Sequence, residues 1–364
     1  MENLILVINP GSTSTKAAVF KDTQICRSKT ISYTPDAVRQ FGSVIEQFGM
    51  RLDDIMEWLN EENIRIEDLS AVVGRGGMVR PIPGGTYMVT DTLVRDLKSQ
   101  VGGEHASNLG GMLARDIADR AGIPSFIVDP VAVDEFDDIA RISGMPEIYR
   151  MSHSHALNIK AVARRTAQKM ARPLCELDLI VVHLGGGISV GALKGGRQID
   201  VNDANEGGPF SPERTGSLAA MDLVDLCYSG KYTHAQMKKK ILGLGGMTAY
   251  LGTNDIREAE RKIEGGDEYA QLVFSAMAYQ VAKEIGSMAA VLKGKADAIV
   301  LTGGGAYSGR LVSEIEDRVK FIAPVLREPG EDEMRSLALG ALRVLDGEET
   351  AKLYEDEVLD IELF

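Results

Sequence analysis

The sequence predicts an α/β fold built as two similar lobes with mixed β-sheets. Strand-like and helix-like patterns alternate through each half of the chain. A strand, a polar or glycine-rich turn and a second strand occur at residues 4–20 and again at 178–193. An offset of 175 residues superposes Ile5 on Ile180, Val7 on Val182, Gly11 on Gly186, Ser14 on Ser189 and Ala17 on Ala192, which reads as one plan used twice. With 364 residues the chain is also too long for one ordinary core.

Each element follows from local pattern. Leu4 to Ile8 is an apolar run that enters the turn Asn9-Pro10-Gly11-Ser12-Thr13-Ser14-Thr15-Lys16, and Ala17 to Phe20 leaves it. Residues 37–62 carry helical spacing through Val38, Phe41, Ile45, Phe48, Leu52, Ile55 and Leu59. Leu69 to Gly74 is a strand that stops at Arg75-Gly76-Gly77, before a loop rich in proline and glycine. Ser107 to Ala121 reads as an amphipathic helix with His105 just ahead of it. Pro124 to Val128 reads as a strand ending at Asp129-Pro130. Ser152 to Met170 reads as a helix with capping serines around His153 and His155, a structural use of those histidines rather than a metal pair.

The second half repeats the alternation. The strand from Asp178 ends at His183 and Leu184, and Gly185-Gly186-Gly187 turns it into Ile188 to Leu193. A polar loop over 200–216 contains Pro209-Phe210-Ser211-Pro212-Glu213-Arg214-Thr215-Gly216, and helical stretches follow at 217–228 and 234–242. The loop's Asp200-to-Gly207 run lacks the ligand and glycine positions of a calcium-binding hand and reads as a loop. Residues 268–292 carry the longest helical stripe, read as core or subunit interface. Asp297 to Thr302 is a strand running into Gly303-Gly304-Gly305, with a helix over Ser308 to Arg318, a last strand at Phe321 to Val325 and a final helix at Met334 to Leu345. Residues 346–364 read as a solvated acidic tail. No linker rich in serine or proline separates the halves, which suits two lobes packed across a cleft: 1–152 plus 333–364, and 153–332.

Composition narrows the function. The chain is 44% hydrophobic and 26% charged, the profile of a soluble globular protein. A net charge of −13 argues against non-specific nucleic-acid binding, since no basic excess exists to displace counterions. Cys26, Cys175 and Cys227 are scattered and lack metal spacing, which points to a reduced, cytoplasmic state. No basic leader opens the chain, and no apolar run reaches the roughly 18 residues of a spanning helix.

Three polar or glycine turns follow apolar strands: Asn9–Lys16, Gly185–Gly187 and Gly303–Gly305. A tight turn is the plain reading of any one of them. Taken together they suit a nucleotide whose phosphates lie against backbone N–H groups. The chain has no Gly-x-x-x-x-Gly-Lys-Ser/Thr, which excludes a P-loop enzyme. The first strand is not followed by Gly-x-Gly-x-x-Gly, which counts against a dinucleotide enzyme.

Asn-Pro-Gly-Ser-Thr-Ser-Thr-Lys at 9–16, His-Leu-Gly-Gly-Gly-Ile-Ser at 183–189, Pro-Phe-Ser-Pro-Glu-Arg-Thr-Gly at 209–216 and the glycines at 303–305 resemble the acetate/butyrate kinase family, over nearly the whole chain. The octapeptide at 209–216 and the compact length are similar to its butyrate kinase branch. The resemblance implies two ribonuclease H-like lobes of the actin-type ATPase duplication flanking a nucleotide cleft. It implies that ATP and Mg²⁺ phosphorylate a short-chain carboxylate, butyrate or a branched relative, reversibly to an acyl phosphate. It also implies a homodimer or larger assembly. Acetate or propionate is the alternative acid.

Site residues carry over position by position. Arg75 and Arg214 match the family's two arginines, suited to the acyl carboxylate and the transferring phosphoryl oxygens. His183 matches the histidine near the γ-phosphate, favoured as a donor because a carboxylate nucleophile needs no general base. His105 matches a second histidine near the acyl group, and Asp129 the essential aspartate. Asn9, Ser12, Ser14 and Lys16, with Gly185, Gly186, Gly187, Gly303, Gly304 and Gly305, match the phosphate-binding turns. Glu333, with Asn9, matches the metal site, with Glu331 and Asp332 as neighbouring alternatives. Catalysis of this kind rests on positioning and charge neutralisation. The rival from another class is a nucleotide-gated binding protein without phosphoryl transfer, which needs no pair of arginines facing a second substrate.

Overall fold

The structure is a computed structural model that describes residues 2–359. The chain divides into two compact units, one of residues 1–134 with 332–364 and one of 135–331.

The first unit is organised on a six-stranded sheet. Its strands are β1 (Leu4–Pro10), β2 (Ser14–Lys21), β3 (Gln24–Ser32), β4 (Ala71–Arg75), β5 (Thr86–Met88) and β6 (Ser125–Val128), in the order β3-β2-β1-β4-β6-β5. The hairpins β1–β2 and β2–β3 are antiparallel, whereas β4 lies parallel to both β1 and β6. Leu6 and Ile8 project to one face, against Ile55 and Leu59 of the helix Phe48–Glu61 and Leu113 and Ile117 of the helix Asn108–Ala121. The helix Glu333–Leu345 packs on β1, β4 and β6, so the C-terminal segment returns to the first sheet.

The second unit repeats the sheet with β7 (Asp178–Leu184), β8 (Ile188–Lys194), β9 (Arg197–Val201), β10 (Ala298–Gly303) and β11 (Val325–Pro329), in the order β11-β10-β7-β8-β9. The order and the mixture of parallel and antiparallel neighbours match β6-β4-β1-β2-β3. Alternate residues of β7 serve opposite faces. Ile180 and Val182 meet Phe274, Met277 and Val281 of the 24-residue helix Glu268–Val291. Leu179 and Val181 meet Ile159 and Val162 of the helix Ala156–Lys169. That double burial is why the strand reads as a continuous apolar run.

Several expectations need correction. Residues 135–152 belong with the second unit, because Asp137 N donates to Ile199 O, Arg150 pairs with Asp200, and Phe136 packs on Val201. The helical stretch at 37–62 is broken into Pro35–Arg39, a short 3₁₀ turn and Phe48–Glu61. The helix expected from Ser152 starts at Ala156, and Ser152 and Ser154 instead receive hydrogen bonds from the Gln198 amide. The last strand runs over Val325–Pro329, not from Phe321, which is exposed. The acidic tail is partly structural: Tyr354 is fully buried and donates to Asp96 Oδ2 at 2.9 Å. Its remainder beyond residue 359 lies outside the described residues.

Candidate active site

In the first unit, sequence-distant residues converge at the ends of β1 and β4. Asn9 Nδ2 donates to Glu333 Oε2 at 2.7 Å, and Arg75 Nη1 donates to Glu333 Oε1. Burial pushes the Glu333 carboxyl up, but Arg75, Asn9 and Lys16 together outweigh it and hold the group below the usual carboxylate range. Glu333 is the first residue of its helix, whereas the Asp332 side chain is used to cap it, accepting from Arg335 N at 3.1 Å. Glu331 belongs to the other unit, 3.6 Å from His183 Nε2. Of the three neighbouring acids, Glu333 joins Asn9 and Arg75.

Arg75 is presented by a backbone-to-backbone contact. A Cβ on Gly74 would come 2.0 Å from Gly110 O, and one on Gly110 would come 2.4 Å from Arg75 O. Only glycines allow the first turn of the helix Asn108–Ala121 to lie so close to the end of β4. His105, just ahead of that helix, accepts from Ser107 N at Nδ1 (3.2 Å) and contacts Ser107 Oγ at 2.7 Å. Desolvation first and the Arg75 charge second push its imidazole below the ordinary histidine range. Asp129, at the end of β6, is buried with φ +38°, a left-handed conformation that costs a non-glycine residue about 1–2 kcal/mol. Hydrogen bonds to Gly85 hold it there: Gly85 N donates to its Oδ1 at 2.8 Å, and its own N donates to Gly85 O at 3.0 Å.

The first turn has an internal support that sequence reasoning missed. Arg51, fully buried, donates to Ser14 O and Thr15 Oγ1 at 3.0 Å each, to Ser12 O at 3.4 Å and to Gln47, and its guanidinium lies 4.7 Å from the centre of the Tyr33 ring. Ser12 and Ser14 thus offer their carbonyls to Arg51, while Lys16 is exposed on the outgoing strand. Arginine four residues after Gln47, the residue that precedes the helix Phe48–Glu61, is the sequence signal, and it is ordinary.

In the second unit the triple glycine is explained by space. None of Gly185, Gly186 and Gly187 has a positive φ. A Cβ would instead come 2.7 Å from His183 Nε2, 2.9 Å from Glu213 Oε1 and 2.3 Å from Arg214 Nη1, respectively. The turn is bare because the side chains of His183, Glu213 and Arg214 lie against it. Ser211 ties the octapeptide to the turn, its Oγ donating to Gly186 O and accepting from Arg214 N at 3.0 Å. Arg214 Nη1 donates to Ala204 O at 2.7 Å and Asn205 Oδ1 at 3.2 Å, and burial lowers its proton affinity from the usual arginine value.

Gly303 does need a positive φ, +82°, at the exit of β10, and a Cβ there would strike Leu184 O at 2.6 Å. Gly304 and Gly305 form a 3₁₀ turn before the helix Gly309–Val319. With Gly185, Gly186, Asn254 and Ser308 they line a cavity of about 690 Å³, enough for a nucleoside. His153 pairs with Asp203, and His155, at the N-cap position of its helix, contacts Ser189, which agrees with a structural use of both histidines.

The family model of the acetokinase family matches residues 148–323. Probable butyrate kinase 2 of Caldanaerobacter subterraneus subsp. tengcongensis is 57% identical over 350 residues, covering 96% of this chain and 99% of that protein. The chain belongs to the acetokinase family. As a member it is a phosphotransferase with a carboxyl group as acceptor. Butyrate kinase 2 of Clostridium acetobutylicum is 52% identical over 356 residues, 98% of this chain and all of that one. Among solved structures, acetate kinase from Porphyromonas gingivalis matches with a TM-score of 0.79 at 18% identity, covering 94% of this chain and all of the other, which shows the shared fold.

Proposed function

We propose that this acetokinase-family chain phosphorylates butyrate with ATP, reversibly, and that the residues assigned above carry the transfer. The observation that carries the assignment is the bare turn Gly185–Gly187, which has a histidine and an arginine packed on it. The choice of a four-carbon acid is supported by relatives of 50% identity and more that are named butyrate kinases.

An oxygen of the carboxylate attacks the γ-phosphorus as the bond to the β–γ bridging oxygen breaks, leaving ADP and butyryl phosphate. No proton is moved, since the acid is already ionised at neutral pH. The protein's task is to hold two anions together and to neutralise charge on the phosphoryl oxygens. Arg214 and the N–H groups of the glycine turn serve the phosphoryl oxygens, and His183 donates a hydrogen bond to them. The Gly303–Gly305 turn and its cavity serve the nucleotide. Arg75 serves the acyl carboxylate, with His105, neutral at pH 7, beside it. Asp129, held at φ +38° by hydrogen bonds to Gly85, keeps its role as the family's essential aspartate on the strength of that strained backbone.

Asn9 and Glu333 are the residues that would hold Mg²⁺. An ionised carboxylate within 2.7 Å of an amide is an all-oxygen donor set once the amide turns its carbonyl. It is a small one, as suits an ion that keeps waters and takes phosphate ligands. When bound, the ion neutralises polyphosphate charge. Free, exposed thiols at Cys26, Cys175 and Cys227 are consistent with a reducing cytoplasm. Exposed Leu218, Met221 and Tyr228 are consistent with burial in a homo-oligomer. No helix among the described residues is long and apolar enough to cross a membrane.

The reverse direction tests the reading. Purified protein with ADP, Mg²⁺ and butyryl phosphate should yield ATP, read by luciferase. No ATP from butyryl, propionyl or acetyl phosphate would favour the nucleotide-gated binding protein instead.

A further inference from the structure

His183 is buried on β7, and its ring is stacked on His155 with centroids 3.8 Å apart and planes 8° apart. Its Nδ1 lies 2.9 Å from Nδ2 of Asn158, on the helix Ala156–Lys169. The same Nδ2 lies 3.3 Å from Oγ1 of Thr302, which sits beside His183 in the sheet. Thr302 Oγ1 in turn is 3.1 Å from Gly330 O.

This row has one consistent direction. A carbonyl oxygen only accepts, so the Thr302 hydroxyl spends its proton on Gly330 and must accept from Asn158. The amide nitrogen of Asn158 has two protons, one for Thr302 and one for His183 Nδ1. His183 Nδ1 is then an acceptor, and the ring's proton is on Nε2. Nε2 is the atom that faces the glycine turn, 2.7 Å from where a Gly185 Cβ would be, with Glu331 Oε2 at 3.6 Å. The amide oxygen of Asn158 is buried and has no hydrogen-bond partner among the described residues. The His155 ring limits reorientation of the imidazole.

We propose that Asn158 is a positioning residue that fixes His183 as a neutral imidazole protonated at Nε2, ready to donate to a phosphoryl oxygen. The donor role rests on the reading of His183 under the proposed function; the tautomer does not. Sequence alone hides Asn158, an unremarked polar position in a helical stretch.

The test is ring nitrogen NMR of ¹⁵N-histidine-labelled full-length protein at pH 7.5, with the His183 signals assigned by their loss in His183→Gln. The expected pattern is a protonated-type Nε2 and an unprotonated-type Nδ1. A proton on Nδ1, or on both nitrogens, overturns the proposal whether or not the protein makes acyl phosphate. Asn158→Asp sets an obligate acceptor against Nδ1. It should move the proton to Nδ1 and lower kcat by about 10²-fold with the KM for ATP changed less than threefold. An unchanged tautomer with unchanged kcat in that variant also overturns it. If the wild-type pattern is as expected but no acyl phosphate forms, the proposed function fails and the tautomer assignment stands.

Discussion

The guanidinium of Arg214 lies against Gly187, so close that a Cβ on the glycine would come 2.3 Å from Nη1. The blocked atom is the far end of a flexible side chain, not backbone, and the fold can accommodate the methyl by moving the arginine. Gly187→Ala should therefore retain its melting temperature within a few degrees while kcat falls about 10²–10³-fold, the scale of losing one transition-state donor. Arg214→Ala should lose a similar factor and still bind ATP by calorimetry. Because both changes remove one interaction, the double variant should lose little more than either single one. Multiplying losses would contradict the shared cause.

Glu333 gives a pH signature. Its carboxyl is held below the ordinary value in the folded chain, so it stabilises the fold above the unfolded value, and that contribution fades as pH falls through the folded one. Wild type should exceed Glu333→Gln in urea-unfolding stability by a constant margin from pH 6 to 8, with the gap narrowing below about pH 4. A gap that widens in acid would contradict the assignment. Glu333→Gln should also raise the Mg²⁺ concentration needed for half-maximal rate.

His105 should titrate below its ordinary value of about 6.5 when followed by proton NMR. Desolvation is the larger cause and Arg75 the smaller, so Arg75→Ala should move the midpoint only part of the way back. Full recovery would make the arginine charge the main cause.

Arg51 supports the first turn from beneath. Arg51→Met keeps the apolar stem but removes the guanidinium from the Ser12 and Ser14 carbonyls and the Thr15 hydroxyl, while Ser14 O keeps Gly11 N and Thr15 Oγ1 keeps the Tyr33 hydroxyl. Chemical unfolding should show a loss of about 1.5–3 kcal/mol, the range for hydrogen bonds to a charged donor. A neutral result would mean that solvent satisfies the turn.

The sequence made the sheet plan legible because both hairpins bury apolar strands. It misaligned them by one residue. Leu6 and Ile8 face the helices that follow β3 and β4, while Ile180 and Val182 face those that follow β9 and β10, so the equivalent offset is 174. A one-residue slip in a strand reverses every side chain. The corrected offset makes Asn9 the counterpart of His183. The arginines and glycines of the candidate site were legible through motifs, and Glu333 as one of three neighbouring acids. Asn158 and Arg51 were not, because a polar residue inside a helix carries no mark of the turn it serves. Tyr354 was hidden by the acidic residues around it, since charge near an aromatic says nothing about which side is buried.

The most direct measurement of the central claim is hydroxylamine trapping of acyl phosphate with ATP and Mg²⁺ across acetate, propionate, butyrate, isobutyrate and valerate. One methylene in an apolar pocket is worth about 1–3 kcal/mol, so kcat/KM should peak at a four-carbon acid and fall at least about tenfold at acetate. Hydroxamate from none of these acids would contradict carboxylate phosphorylation, and a maximum at acetate would contradict the four-carbon assignment.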